Sequence, residues 1–129
     1  MKTSTSRVVP LDACQVVTVH PDKVALARQK VPDAEEAGVL ADLFKLLGEP
    51  KRTRILYALL EAGELCVCDI AAAVDVPEAS VSQALRLLRT AGVVDNRRSG
   101  RMVYYRLADA HVRSLLDLSR EHTGHEVSS

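Results

Sequence analysis

The chain has 129 residues, 47% of them hydrophobic and 26% charged, which suits one globular domain able to bury a core without disulfides or metal. Its 17 Lys and Arg residues balance 17 Asp and Glu, so net charge selects no partner and excludes none. No apolar run approaches the roughly 18 residues of a membrane span, and the N-terminal stretch MKTSTSRVVPLDACQ lacks the apolar h-region of a signal peptide.

The expectation is therefore a cytoplasmic protein with no membrane partner. Its three cysteines would stay reduced there, and an odd number argues against a disulfide framework.

Residues 1–20 read as an arm, polar at first, that carries Cys14 and His20. A short helix is expected over Pro21–Gln29, with Pro21 at a first helical position. Asp33 and Glu36 have capping-box spacing and open a helix in which Val39, Leu40, Leu43, Phe44 and Leu47 recur at helical intervals until Gly48. Pro50 opens the next helix, which runs through Ile55, Leu56, Leu59 and Leu60 to Gly63. A short helix holds Ile70, Ala71 and Val74. After a turn at Asp75-Val76-Pro77 comes EASVSQALRLLRTAG, with Val81, Leu85 and Leu88 facing inward and Ser82, Gln83, Arg86 and Arg89 facing out.

Two helices joined by so short a turn form a helix-turn-helix pattern. VVDNRRSGRMVYYRL then reads as a β-hairpin turning at Ser99-Gly100. A last helix begins near Asp109 and carries Val112, Leu115, Leu116 and Leu118. The expected fold is mainly α (α+β): a winged helix-turn-helix with extra N- and C-terminal helices. The arm takes residues 1–20, the winged helix-turn-helix domain with its extra helices 21–125, and a C-terminal tail 126–129.

The balanced net charge conceals segregation. Arg86, Arg89, Arg97, Arg98, Arg101 and Arg106 lie between Ser80 and Leu107 against one acid, Asp95, and Lys51, Arg52 and Arg54 open an earlier helix. Positive charge concentrated on a candidate recognition helix and hairpin is the footprint of double-stranded DNA binding. A solvated arginine face is the plainer alternative. Ser80, Ser82 and Gln83, early in the recognition helix, are short polar side chains suited to base edges, while Arg86, Arg89, Arg97, Arg98 and Arg101 suit phosphates.

Two residue sets suit metals. Asp109, His111, His122 and His125 share the last helix. His111 and His122 project from nearly the same face but lie roughly 16 Å apart along the axis, too far for one ion. Two antiparallel copies would bring opposite helix ends together and complete a zinc-type N/O set. Helix capping alone would explain Asp109 and one histidine, but not all four residues.

In ELCVCDIA, Cys66 falls at an N-cap, a position not yet helical, so Cys66 and Cys68 can converge. A helix N-terminus also lowers thiol pKa, favouring the thiolate that soft metals need. Cys14 is the obvious third sulfur, and His20 or Asp12 could add a ligand. Alternatively, Cys68 packs as a small core hydrophobe and Cys14 is incidental.

LGEPKRTRILYALL, ELCVCDIA, VSQALRLLRTAGVV, RRSGRMVYYRL and the Asp-x-His…His-x-x-His pattern occur in an order that resembles the ArsR/SmtB family of metal-responsive transcriptional repressors. The resemblance implies a homodimeric winged helix, paired through its extra helices, that binds operator DNA when metal-free and releases it on binding metal. ELCVC is similar to cadmium and lead sensors of the CadC type, implying Cd(II) or Pb(II) at Cys14, Cys66 and Cys68. The Asp109, His111, His122 and His125 set resembles the Zn(II) site of SmtB-like members. Such arms usually supply two cysteines where this one has Cys14 alone, and Pro77 stands where relatives have a serine cap.

A thiol redox switch acting on DNA and a cytosolic metal-storage module are the rival readings. No nucleophile–base constellation or phosphate loop suggests an enzyme.

Overall fold

The computed structural model describes residues 18–128, with side chains through Gly124. The chain divides into two compact units, residues 1–37 and 38–129. The first contains α1 (Pro21–Lys30), which has Pro21 at its start and no buried residue, and the opening turn of α2 (Ala34–Leu47). The Asp33 carboxylate caps that turn by accepting the Glu36 amide at 2.8 Å, the half of the capping box that stops the first orphan donors from going unpaired.

The second unit holds the rest of α2, α3 (Pro50–Ala62), β1 (Leu65–Cys66), α4 (Val67–Val74), α5 (Glu78–Thr90), β2 (Val94–Ser99), β3 (Met102–Leu107) and α6 (Ala110–Ser128). The helix continues through 126–128, where a tail was expected.

The apolar positions of α3, α4 and α5 converge because each helix repeats them on one face. Ile55, Leu56, Leu59, Ile70, Val81, Leu85, Leu88 and Val94 are fully buried, and Leu107 and Leu116 close the core from β3 and α6. Each such aliphatic side chain contributes about 1.5–3 kcal/mol by leaving water. α4 and α5 are joined at Asp75, which takes the left-handed conformation (φ 57°) as the C-cap of α4. Arg54 ties α3 to the same corner, its Nη1 donating to the Val74 carbonyl at 2.7 Å. Tyr57 fastens α6 to α3, its hydroxyl donating to the Leu116 carbonyl at 2.6 Å.

The hairpin forms as expected, but its two-residue turn is Gly100-Arg101 rather than Ser99-Gly100, because Ser99 still pairs with Met102. Gly100 takes the positive φ (61°) that a tight hairpin needs at its first turn position. The sheet also has a strand that the pattern did not show. β1 adds to the hairpin antiparallel, in the order β1-β3-β2, with Leu65 opposite Tyr105 and Cys66 opposite Tyr104.

The helical stripes are only partly used. Leu43, Leu46 and Leu47 of α2 pack on the core, while Val39, Leu40 and Phe44 stay exposed. On α6, Leu116 is buried and Leu115 and Leu118 are not.

Candidate DNA-reading face and metal sites

On α5, Gln83, Arg86 and Arg89 are exposed and Ser80 and Ser82 half-buried, as the 3.6-residue period requires once Val81, Leu85 and Leu88 turn inward. Pro77 stands at the N-cap without a side-chain cap bond. Ser82, Arg86, Arg89, Thr90 and Tyr105 line an open cleft of about 510 Å³ between this helix and the sheet. Thr90 and Tyr105 were not marked by the sequence. Tyr105 enters only because the hairpin folds back beside α5.

Arg98 and Arg101 are exposed at the wing. Arg97 is engaged: its Nε and Nη2 each donate to the Glu64 carboxylate at 2.8 Å, and its guanidinium lies 4.9 Å from the Tyr104 ring centre. Arg106 approaches the same carboxylate at 3.7 Å. The bidentate bond to Arg97 holds the Glu64 carboxyl below its ordinary range. Two basic residues of α3 also have internal partners. Arg54 holds Val74, and Arg52 Nε donates to the Leu46 carbonyl at 2.8 Å.

Cys66 and Cys68 converge as their place at a helix start allows, with their sulfurs 3.3 Å apart. Cys66, the N-cap of α4, is the buried one and Cys68 is exposed, so the core-packing alternative fails for Cys68. The Asp69 carboxylate joins them. One ligand atom from each lies within 4.8 Å of the others, the one such group of three among the described residues. Two thiolates bound to one tetrahedral ion at about 2.3 Å lie about 3.8 Å apart, so the sulfur pair can share a soft metal once it opens by about half an ångström.

The expected lowering of thiol pKa is not found for Cys68. Its thiol is pushed up, first by its hydrogen bond with Cys66, with burial, Asp69 and Glu78 adding to it. The neighbouring sulfur and carboxylates disfavour its thiolate. Cys14 lies outside the described residues, as does Asp12, and His20 is exposed.

Asp109 caps α6, its Oδ1 accepting the amides of His111 at 2.9 Å and Val112 at 3.1 Å. His111 is almost wholly exposed, its Nδ1 3.7 Å from that same oxygen, and His122 is exposed further along the helix. The side chain of His125 lies outside the described residues. Among the described residues, Asp109, His111 and His122 do not form such a group within one chain.

A model of bacterial regulatory proteins of the arsR family matches residues 49–96, the span from the cap of α3 into β2. A cadmium resistance transcriptional regulatory protein CadC homolog of Staphylococcus aureus is 39% identical over 92% of this chain and 96% of its own length. The chain belongs to the ArsR family. A transcriptional repressor SmtB homolog of a Synechocystis strain is 44% identical over 79% of this chain and 76% of its own. The homodimeric winged helix-turn-helix domain of a possible ArsR-family regulator of Mycobacterium bovis superposes with a TM-score of 0.67, at 30% identity, covering 76% of this chain and 92% of that one. As a member of the ArsR family the chain is a DNA-binding transcriptional regulator with a winged helix-turn-helix fold, not an enzyme. No helix among the described residues is long and apolar enough to cross a membrane.

Proposed function

We propose that the protein is a cytoplasmic metal-sensing repressor. It binds operator DNA as a metal-free homodimer and releases it on binding Cd(II) or Pb(II), or Zn(II), so that metal efflux or resistance genes are expressed. The observation that carries this reading is the Cys66–Cys68 sulfur pair at the first turn of α4, the helix that leads directly into the DNA-reading α5. Sulfur donors select soft ions. The CadC and SmtB names of its relatives support the same response.

On this reading Ser80, Ser82 and Gln83 meet base edges, and Arg86, Arg89, Arg98 and Arg101 grip phosphates. Cys66, Cys68 and the arm residue Cys14 hold cadmium or lead, with Asp69 within reach. Asp109, His111, His122 and His125 hold zinc across two subunits. The exposed Val39, Leu40, Phe44, Leu115 and Leu118 supply apolar surface that a second copy would cover, and the homodimeric structural neighbour supports this assembly.

Titrating the purified dimer with cadmium, lead and zinc, bound to the DNA upstream of its own coding sequence, tests the proposal. Release at one equivalent or a few of a soft metal is expected. Unchanged binding with metal bound overturns it. The 3.3 Å sulfur separation also suits a thiol switch, and release by peroxide but not by metal would establish that reading instead.

A further inference from the structure

The candidate sulfur site and the wing meet on one face of the sheet. Cys66 of β1 is opposite Tyr104 of β3, which is opposite Arg97 of β2, so the three residues form one row across all three strands. Residues paired in this way point to the same side of a sheet, while the adjacent row of Leu65, Tyr105 and Asn96 points to the other. Above the first row lies a strap. Glu64, two residues before Cys66, reaches over β3 to Arg97, both bonds are 2.8 Å, and the guanidinium rests on the Tyr104 ring between them.

We propose that the Glu64–Arg97 strap over Tyr104 is the connection through which the Cys66/Cys68 site acts on the wing, and that Arg97 serves there as a positioning residue rather than as a phosphate ligand. This rests on the metal-sensing reading above. β1 is two residues long with two register pairs, so few hydrogen bonds resist its displacement. Ligation at its last residue, Cys66, pulls on the segment that carries Glu64. A bidentate carboxylate–guanidinium bond is directional and transmits that displacement to β2. Arg98 and Arg101, exposed at the wing, have no such tether and keep the phosphate role.

The test uses the full-length dimer and the upstream DNA fragment, with cadmium as the probe. Three quantities are measured for wild type, Glu64→Gln, Arg97→Ala, Arg97→Lys and Arg101→Ala: the salt slope of metal-free binding, the cadmium–thiolate absorption, and the fold-loss of DNA affinity at saturating cadmium. Arg101→Ala should make the salt slope shallower by about 0.9 for each phosphate no longer neutralised and leave the cadmium fold-loss at the wild-type value. Glu64→Gln and Arg97→Ala should keep the wild-type slope and absorption, yet lose most of a cadmium effect expected at about 5–150-fold. A Glu64→Gln/Arg97→Ala double variant, measured alongside, should lose no more than either single one. Arg97→Lys, which keeps the charge without the fork, should fall between wild type and Arg97→Ala, and it carries the test if alanine unfolds the wing.

An Arg97→Ala slope as shallow as that of Arg101→Ala, or a full cadmium response in Glu64→Gln and Arg97→Lys, overturns the strap while the metal-sensing reading stands. A wild type that binds cadmium and keeps its DNA overturns both.

Discussion

The sulfur of Cys66 lies 3.3 Å from that of Cys68, one at the N-cap of α4 and the other within its first turn. Inside a regular helix, residues two apart point about 200° from each other, so the convergence depends on the extended backbone of Cys66 (φ −83°, ψ 168°). Both sulfurs should therefore contribute to ultraviolet charge-transfer absorption with cadmium or lead. Cys66→Ser and Cys68→Ser should each lower that absorption and abolish cadmium-triggered DNA release, read by titration and by mobility shift. Retention of both signals in Cys66→Ser removes the site assignment.

Arg86 faces the open cleft together with Ser82, Arg89, Thr90 and Tyr105. Arg86→Ala should weaken binding of the upstream DNA and flatten its dependence on log salt by about 0.9 for each phosphate that the arginine had neutralised. Fluorescence anisotropy at several salt concentrations gives both values, and an unaltered slope argues against this face.

The histidines of α6 allow a complementation test. His111→Ala and His122→Ala homodimers should each lack tight zinc binding, because every cross-subunit site loses one donor. Heterodimers of the two variants place both defects in one site and leave the other whole. About one zinc per heterodimer should then bind tightly, as measured by competition with a chelator. Confirmed heterodimers without that zinc exclude the cross-subunit site.

Tyr57 fastens α6 to α3 through the carbonyl of Leu116. Tyr57→Phe keeps the ring beneath Arg120 but removes the hydroxyl donor, and should cost about 0.5–1.5 kcal/mol of stability. Urea unfolding at one fixed protein concentration measures this, since assembly would otherwise shift the midpoint.

Glu64 and Glu49 set an acid limit. Glu64 is held low by its hydrogen bond to Arg97, with the charges of Arg97 and Arg106 adding. Glu49 is held low by the Arg52 amide, with the Lys51 amide and the Arg52 and Lys51 charges adding. A carboxyl whose pKa falls on folding stabilises the protein above its unfolded value, and the gain is lost as pH drops through the folded one. Stability should therefore decline on acidification below the ordinary glutamate range. In Glu64→Gln the decline should be shallower, as measured by denaturant midpoints across pH. A Gln variant with the wild-type pH profile contradicts the assignment of Glu64.

The local elements were legible in the sequence because their causes are local. Asp33, Pro21, Pro50 and Gly63 punctuate helices by capping and backbone preference. The period of Val81, Leu85 and Leu88 decided which face of α5 remains outside, and with it the exposure of Gln83, Arg86 and Arg89. Cys66 was placed at an N-cap for the same reason. What the tertiary structure alone decided was which side chains spend their charge internally. Arg97 was counted with the phosphate-facing arginines, but Glu64, 33 residues earlier, meets it only after β1 joins the hairpin. A strand of two residues has too little length to show a period, and the pairing that holds it comes entirely from β3. Arg52 and Arg54 likewise gained carbonyl partners, from the C-terminal ends of α2 and α4. Composition and periodicity record the preferences of each segment. Pairing between distant segments is set by packing of the shared core, and no single stretch of the chain contains it.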